Sequence, residues 1–216
     1  MTKNEKIRTG IVVGIVLIAI AAVLSRVVVF DHSARRTGDG FEWRGVRYVT
    51  TGGTYQGGRT VAKTDDNFAI VSVKGDAGKN FYVLSSFLDS ELCVREGYTL
   101  PTDGEIRAVS VNHMIVSRRA VVDAIARGAE AFTPEGQAEM RFHADSQTVL
   151  MKELSFFYGE NPVSTDPHKL EFGTVDGRFV LARKLSSVET EDNVIFTYEI
   201  WHFPPEDAAV LAEYFK

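Results

Sequence analysis

The sequence predicts an α+β, β-dominated chain. An N-terminal transmembrane helix comes first, then a small β-sandwich or barrel-like lobe. An α+β lobe with antiparallel hairpins and a C-terminal helix follows. Three observations carry this expectation. An uncharged apolar run lies near the start of the chain. Short β-branched and aromatic runs then recur between turn signals, at the roughly 8–12-residue spacing of small sandwiches and barrels. Two later stretches switch to helical spacing.

The first element is the run Ile11 to Leu24, which contains no charged side chain. Taken from Gly10 to Phe30 it reaches the roughly 20 residues that a helix needs to cross hydrocarbon. Arg26 lies near the end of that stretch, where its side chain can reach the headgroups. Ala19-Ile20-Ala21 offers a small-x-small cleavage site, but cutting there leaves an apolar new N-terminus, so the segment reads as an uncleaved signal-anchor. Lys3, Lys6 and Arg8 precede it and Arg35, Arg36 and Arg44 follow. A short basic tail before a first span places residues 1–9 in the cytoplasm and residues 31–216 outside. The expected organisation is a tail (1–9), a span (10–30), a polar tether (31–40), a β-rich lobe (41–112) and an α+β lobe (113–216). The last two are readable as one continuous domain.

Within the first lobe, FEWR and VRYVT flank a tight turn at Arg44-Gly45. The glycine-rich TTGGTYQGGR separates them from TVAK, FAIVSVK, NFYVLS, SELCVRE and EIRAVSVN. In the second lobe Ser117 is the expected N-cap of a helix from Arg118 towards Glu130, with Val121, Val122, Ile125 and Ala129 on one face. Gly128 and Thr133-Pro134 are its expected stop. AEMRFHA and TVLMKELSFFY resume the strands. KLEFGTV and RFVLARKL flank Asp176-Gly177, a strong hairpin signal. VIFTYEIWHF is the longest strand candidate. Pro204-Pro205 then open a short helix with Glu206 and Asp207 in its first turn.

Charge excludes one class of function. The whole chain carries −5, and setting aside Lys3, Lys6, Arg8, Arg26 and Glu5 leaves −8 on residues 31–216. Neutralising phosphates needs a basic stripe, so nucleic acid is not an expected partner. A single cysteine makes no intrachain disulfide. The sequence holds no GxSxG elbow, phosphate loop, HExxH helix or zinc spacing, so no catalytic, cofactor-binding or metal residue is assigned and no cofactor is expected.

The remaining candidates are individual residues. His143 with Asp145, or Asp166 with His168, could supply a base and its orienter, which makes an envelope hydrolase the alternative reading. His113 and His202 read as loop and strand-end histidines. Cys93 reads as an inert buried thiol. Most aromatic residues fit core alternation, but Tyr55 sits in a glycine-rich loop where no strand period demands it. Tyr214 and Phe215 complete an apolar stripe on the last helix, which either binds a partner or docks on the chain's own sheet. Tyr55, Tyr214 and Phe215 are therefore the expected partner-binding residues. The sequence points to non-covalent recognition rather than an enzyme: a single-pass cell-membrane protein presenting a β-rich extracytoplasmic domain to a protein partner in the membrane or envelope.

Overall fold

Seven strands in the first part of the chain close on themselves, and seven in the second part form an open antiparallel sheet. The computed structural model describes residues 31–141, 149–190 and 194–215. The tail and span expected over residues 1–30, together with His143, Asp145, Glu191, Asp192 and Lys216, lie outside the described residues. Among the described residues no helix is long and apolar enough to cross a membrane.

The barrel strands are β1 (Asp31–Thr37), β2 (Gly40–Trp43), β3 (Val46–Thr50), β4 (Gly57–Thr64), β5 (Ala69–Val73), β6 (Phe81–Ser85) and β7 (Ser90–Arg95). Their order is β1-β2-β3-β7-β6-β5-β4, and a parallel pairing of β1 with β4 closes the ring. The tether expected over residues 31–40 is corrected here: Asp31–Thr37 is a strand. Its polar residues conceal it: among the residues of the strand whose side chains are described, Ala34 alone is buried. Every other strand sends apolar side chains to the same interior, among them Phe41, Trp43, Tyr48, Ala62, Ile70, Tyr82, Leu84 and Cys93. Phe41 stacks on Tyr48 at 4.9 Å, and Tyr82 meets Tyr48 edge-on at 5.1 Å, an aromatic geometry that stabilises beyond area alone.

The barrel's outer face over β5, β6 and β7 is also apolar. Val73, Phe81, Val83, Leu92 and Val94 pack there against Val163 from the second part of the chain. This explains why β6 reads FYVLS with no polar break, since a strand buried on both faces need not alternate.

The second sheet comprises β8 (Ile106–Val111), β9 (Met114–Val116), β10 (Gly136–Arg141), β11 (Val149–Tyr158), β12 (Glu171–Val175), β13 (Arg178–Glu189) and β14 (Val194–His202), in the order β10-β14-β13-β12-β11-β8-β9. EIRAVSVN, expected in the first lobe, belongs to this sheet because β8 pairs with β11. Helices α1 (Arg119–Ala131) and α2 (Pro205–Tyr214) contact each other and cover one face of the sheet. The N-cap of α1 is Arg118, not Ser117, with no side-chain capping bond. Gly128 lies inside α1 instead of ending it. A side chain there would come within 2.8 Å of Phe203 and 2.9 Å of Trp201, so glycine is what lets the helix approach the sheet.

Candidate recognition cleft

On the side that the helices leave uncovered, the second sheet meets the barrel through Val163 and through the loop that precedes β4. Residues 51–56 leave β3 and run to β4, and Gly53 adopts φ +130, where a Cβ would lie 2.5 Å from the Ser164 carbonyl oxygen. Glycine at this position therefore permits close backbone contact. The Thr54 N–H donates to Ser164 Oγ at 2.7 Å, and the Ser164 N–H donates to the Thr54 carbonyl at 3.0 Å. Thr54 Oγ1 and Ser110 Oγ share a hydrogen bond of 2.8 Å, and the Ser155 hydroxyl donates to Ser164 Oγ at 2.7 Å. Thr54, Ser110 and Ser164 are buried, so these four hydroxyls form a satisfied internal network. Such a network holds barrel and sheet in one fixed arrangement.

Behind this latch a cleft of about 700 Å³ opens between the loop and the uncovered sheet face, a volume in the range of ligand sites. Its charged residues are Glu153, Asp166, Glu171, Lys169, Arg183 and Lys184, with His113 at the β8–β9 turn. Glu153 and Glu171 are direct cross-strand partners, so two carboxylates share one face of the β11–β12 ladder. Like charges placed this way are unfavourable for the sheet itself.

Two carboxyls of the cleft, Glu171 and Asp166, are raised above their ordinary range. Burial pushes the Glu171 carboxyl above its ordinary range, and the negative Glu153 and Asp166 push the same way. A hydrogen bond from Tyr198 and the positive Lys184 oppose them. Burial likewise raises Asp166, against hydrogen bonds from the backbone N–H groups of Leu170 and Lys169. Asp166 remains open to solvent, so this rise carries no weight in stability. Tyr198, buried beside Glu171, is held protonated well above the usual tyrosine range. The Lys184 ammonium lies 4.0 Å over the ring of Phe196, and His113 Nε2 is 3.8 Å from the Glu153 carboxylate. The Arg183 guanidinium lies over the Phe132 ring at 5.0 Å. That leaves three acids and two lysines in the cleft, a set suited to charge-assisted hydrogen bonding to a partner bearing both signs.

The residues singled out from sequence fall in different places. Asp166 lines the cleft. His168 does not; its ring meets Phe156 edge-on at 5.4 Å, and no hydrogen bond joins it to Asp166 among the described residues. The cleft serines bond to one another, to the Thr54 hydroxyl and to backbone rather than to a histidine. Tyr55 is no free loop tip: it is half-buried against the cluster of Phe81 and Val163, and burial raises its hydroxyl pKa. Tyr214 and Phe215 pack on the chain's own helix-covered core, with Phe215 5.0 Å from Phe172. His202 Nδ1 lies 3.3 Å from Glu135 at the end of β14. Cys93 is wholly buried in the barrel, and desolvation lifts its thiol to about 11. Among the described residues no three His, Cys, Asp or Glu side chains converge to hold a metal ion.

Sequence reasoning missed Glu153, Glu171, Lys184 and the serines. The signal was present in TVLMKELSFFY, where Glu153 and Ser155 alternate with Leu154 and Phe156. That pattern marks one buried and one open face.

Fold and cleft together define a class: a closed β-barrel latched to a helix-backed antiparallel sheet, with a mixed-charge cleft where they meet. Comparison with protein-family models, curated proteins and solved structures returned no match.

Proposed function

We propose that this chain is a single-pass membrane protein that recognises a protein partner in the membrane or envelope without covalent chemistry or a cofactor. Residues 1–9 are the cytoplasmic tail, residues 10–30 span the bilayer, and the β-rich remainder is extracytoplasmic. The cleft receives a partner segment carrying both positive and negative groups. The observation that carries this reading is the cleft itself: a latched cavity in which like-charged Glu153 and Glu171 are placed side by side at a cost to the sheet. Because β1 begins at Asp31, directly after the proposed span, the barrel sits close to the bilayer. That confinement raises the effective concentration for neighbours in the membrane.

Two linked measurements test it. A membrane-impermeant maleimide applied to intact cells labels Ser33→Cys and Ala209→Cys if the domain is outside. Labelling only after lysis refutes the orientation. The paired reversal Lys169→Glu and Lys184→Glu lowers recovery of a stoichiometric partner from solubilised membranes by about tenfold or more, as loss of complementary charge does. Arg59→Glu, on a strand that does not line the cleft, leaves recovery unchanged. Equal recovery from both variants removes the cleft from the account.

A further inference from the structure

Among the described residues two apolar side chains stand apart from the others on the surface. Phe87 is 100% exposed and Leu88 is 89% exposed, whereas the other large exposed apolar residues lie between 47% and 55%. They occupy the turn between β6 and β7, and its polar groups bond within the turn. The Ser86 N–H donates to the Asp89 carbonyl at 2.8 Å, and Ser86 Oγ accepts from the N–H groups of Leu88 and Asp89. The Asp89 carboxylate accepts from the Ser90 N–H at 2.8 Å, and the hydroxyls of Ser85 and Ser90 bond across the strand pair at 2.8 Å. The turn is thus ordered before any partner arrives, which reduces the entropy cost of docking.

Topology fixes where it points. β1 and β4 are parallel, and the antiparallel steps to β5 and then β6 give β6 the direction of β1. The chain enters β1 at one end of the barrel and leaves β6 at the other, so Phe87 and Leu88 lie at the end away from residue 31. Asp89 and Glu91 flank them, which opposes contact with anionic lipid.

The second unit carries a hollow that complements this turn. Arg178, Phe179, Phe203, Ala208, Ala209 and Ala212 line a cavity of about 460 Å³ between the β12–β13 turn and α2. Its lining is apolar apart from Arg178 at the β12–β13 turn, opposite in sign to Asp89. We propose that the Phe87–Leu88 turn of one copy seats in this hollow of a second copy, with Asp89 set against Arg178. Turn and hollow are different surfaces, so the contact is heterologous and each copy keeps one free donor and one free acceptor. An interface built on two side chains is small and belongs to the weak, transient class. Confinement to a membrane is what populates it. The inference is independent of what fills the cleft and relies on the anchor only for local concentration.

The test uses the full chain, co-expressed with two different affinity tags and cross-linked in the membrane with an amine-reactive reagent before solubilisation in mild detergent. With Leu88→Cys on one copy and Ala212→Cys on the other, mild oxidation yields a disulfide-linked pair of the two tagged chains. Copies that all carry Leu88→Cys, or all carry Ala212→Cys, do not cross-link. Phe87→Asp with Leu88→Asp cuts co-recovery of the two tags by about tenfold or more, the scale for losing a central apolar anchor, and leaves thermal unfolding unchanged. Asp89→Arg weakens co-recovery, and adding Arg178→Asp restores it. The proposal is overturned if wild-type copies never co-purify, if co-recovery survives the double Asp variant, or if position 88 cross-links to position 88. Loss of the 88–212 link in chains that still sediment with membranes counts against this contact and leaves the anchor reading untouched.

Discussion

The barrel interior and the uncovered face of the second sheet are built from the same alternating strands, yet they differ in chemistry. Inside the barrel seven strands turn Ala34, Phe41, Tyr48, Ala62, Ile70, Tyr82 and Cys93 towards one another, and closure leaves no sheet edge and no solvated face within. Even its polar atoms are absorbed there: the Tyr48 hydroxyl donates to the Lys79 carbonyl at 3.1 Å, and burial pushes its pKa to about 12. The second sheet buries one face beneath α1 and α2 and part of the other in a smaller cluster of Ala182, Tyr198 and Ile200. The other face keeps Glu153, Glu171, Ser110 and Ser155 around a cleft. Closure produces a support, and incomplete cover leaves room for a site.

The largest effects come from the two cores. Phe41→Ala in the barrel and Phe156→Ala beneath the helices each remove a fully buried ring, and each costs about 3–5 kcal/mol in urea unfolding. Trp43 reports on the barrel and Trp201 on the second unit. Because the hydroxyl latch and the packing on Val163 join the two, both signals shift together in either variant. Two separate transitions would break that picture.

The latch comes next. Ser164→Ala removes the acceptor of the Thr54 N–H and of the Ser155 hydroxyl, leaving buried donors unpaired at a cost of about 1–3 kcal/mol. Thr102→Ala, exposed in the connection before β8, costs far less. Equal melting temperatures for the two variants would show that the latch contributes nothing.

Smaller effects separate the faces by pH. Glu171 has a folded-state pKa raised above the roughly 4.3 of a free glutamate. The folded state therefore binds its proton more tightly than the unfolded state. That contribution to stability is full below the unfolded value and is lost as pH rises through the raised folded value. Glu171→Gln, which keeps the shape without the charge, thus melts above wild type at pH 7, and the difference closes at pH 4. A gap of opposite sign at pH 7 would contradict the account of the paired carboxylates. In the barrel, by contrast, Cys93 stays unlabelled by a thiol reagent at pH 8 until the protein unfolds. Rapid native labelling would mean that the interior is open.

How much of this was legible beforehand follows the same division. The strands β2, β3, β6, β7 and β14 announce themselves through aromatic and β-branched runs between turn signals, and their interior residues follow the period of two. β1 was hidden because DHSARRT contributes a single buried apolar residue, Ala34, and its strand character comes from pairing with β2 and β4. The allegiance of β8 depends on β11, more than forty residues further on, and no local pattern reports that pairing. The cleft was the least legible feature. Its latch joins Thr54 to Ser164 across 110 residues, and neither residue stands out alone. Tyr55 drew notice as an isolated aromatic in a glycine-rich loop, yet its role in the fold is to pack that loop down beside Val163.

One measurement addresses the central claim most directly. A photo-cross-linking side chain placed at Lys169 in the full chain reports what lies in the cleft in intact cells, and the same group at Arg59 is the control. The account predicts a discrete protein adduct from position 169 that is absent from position 59 and disappears with Lys184→Glu. Identical adducts from both positions, or adducts to lipid alone from position 169, would contradict it.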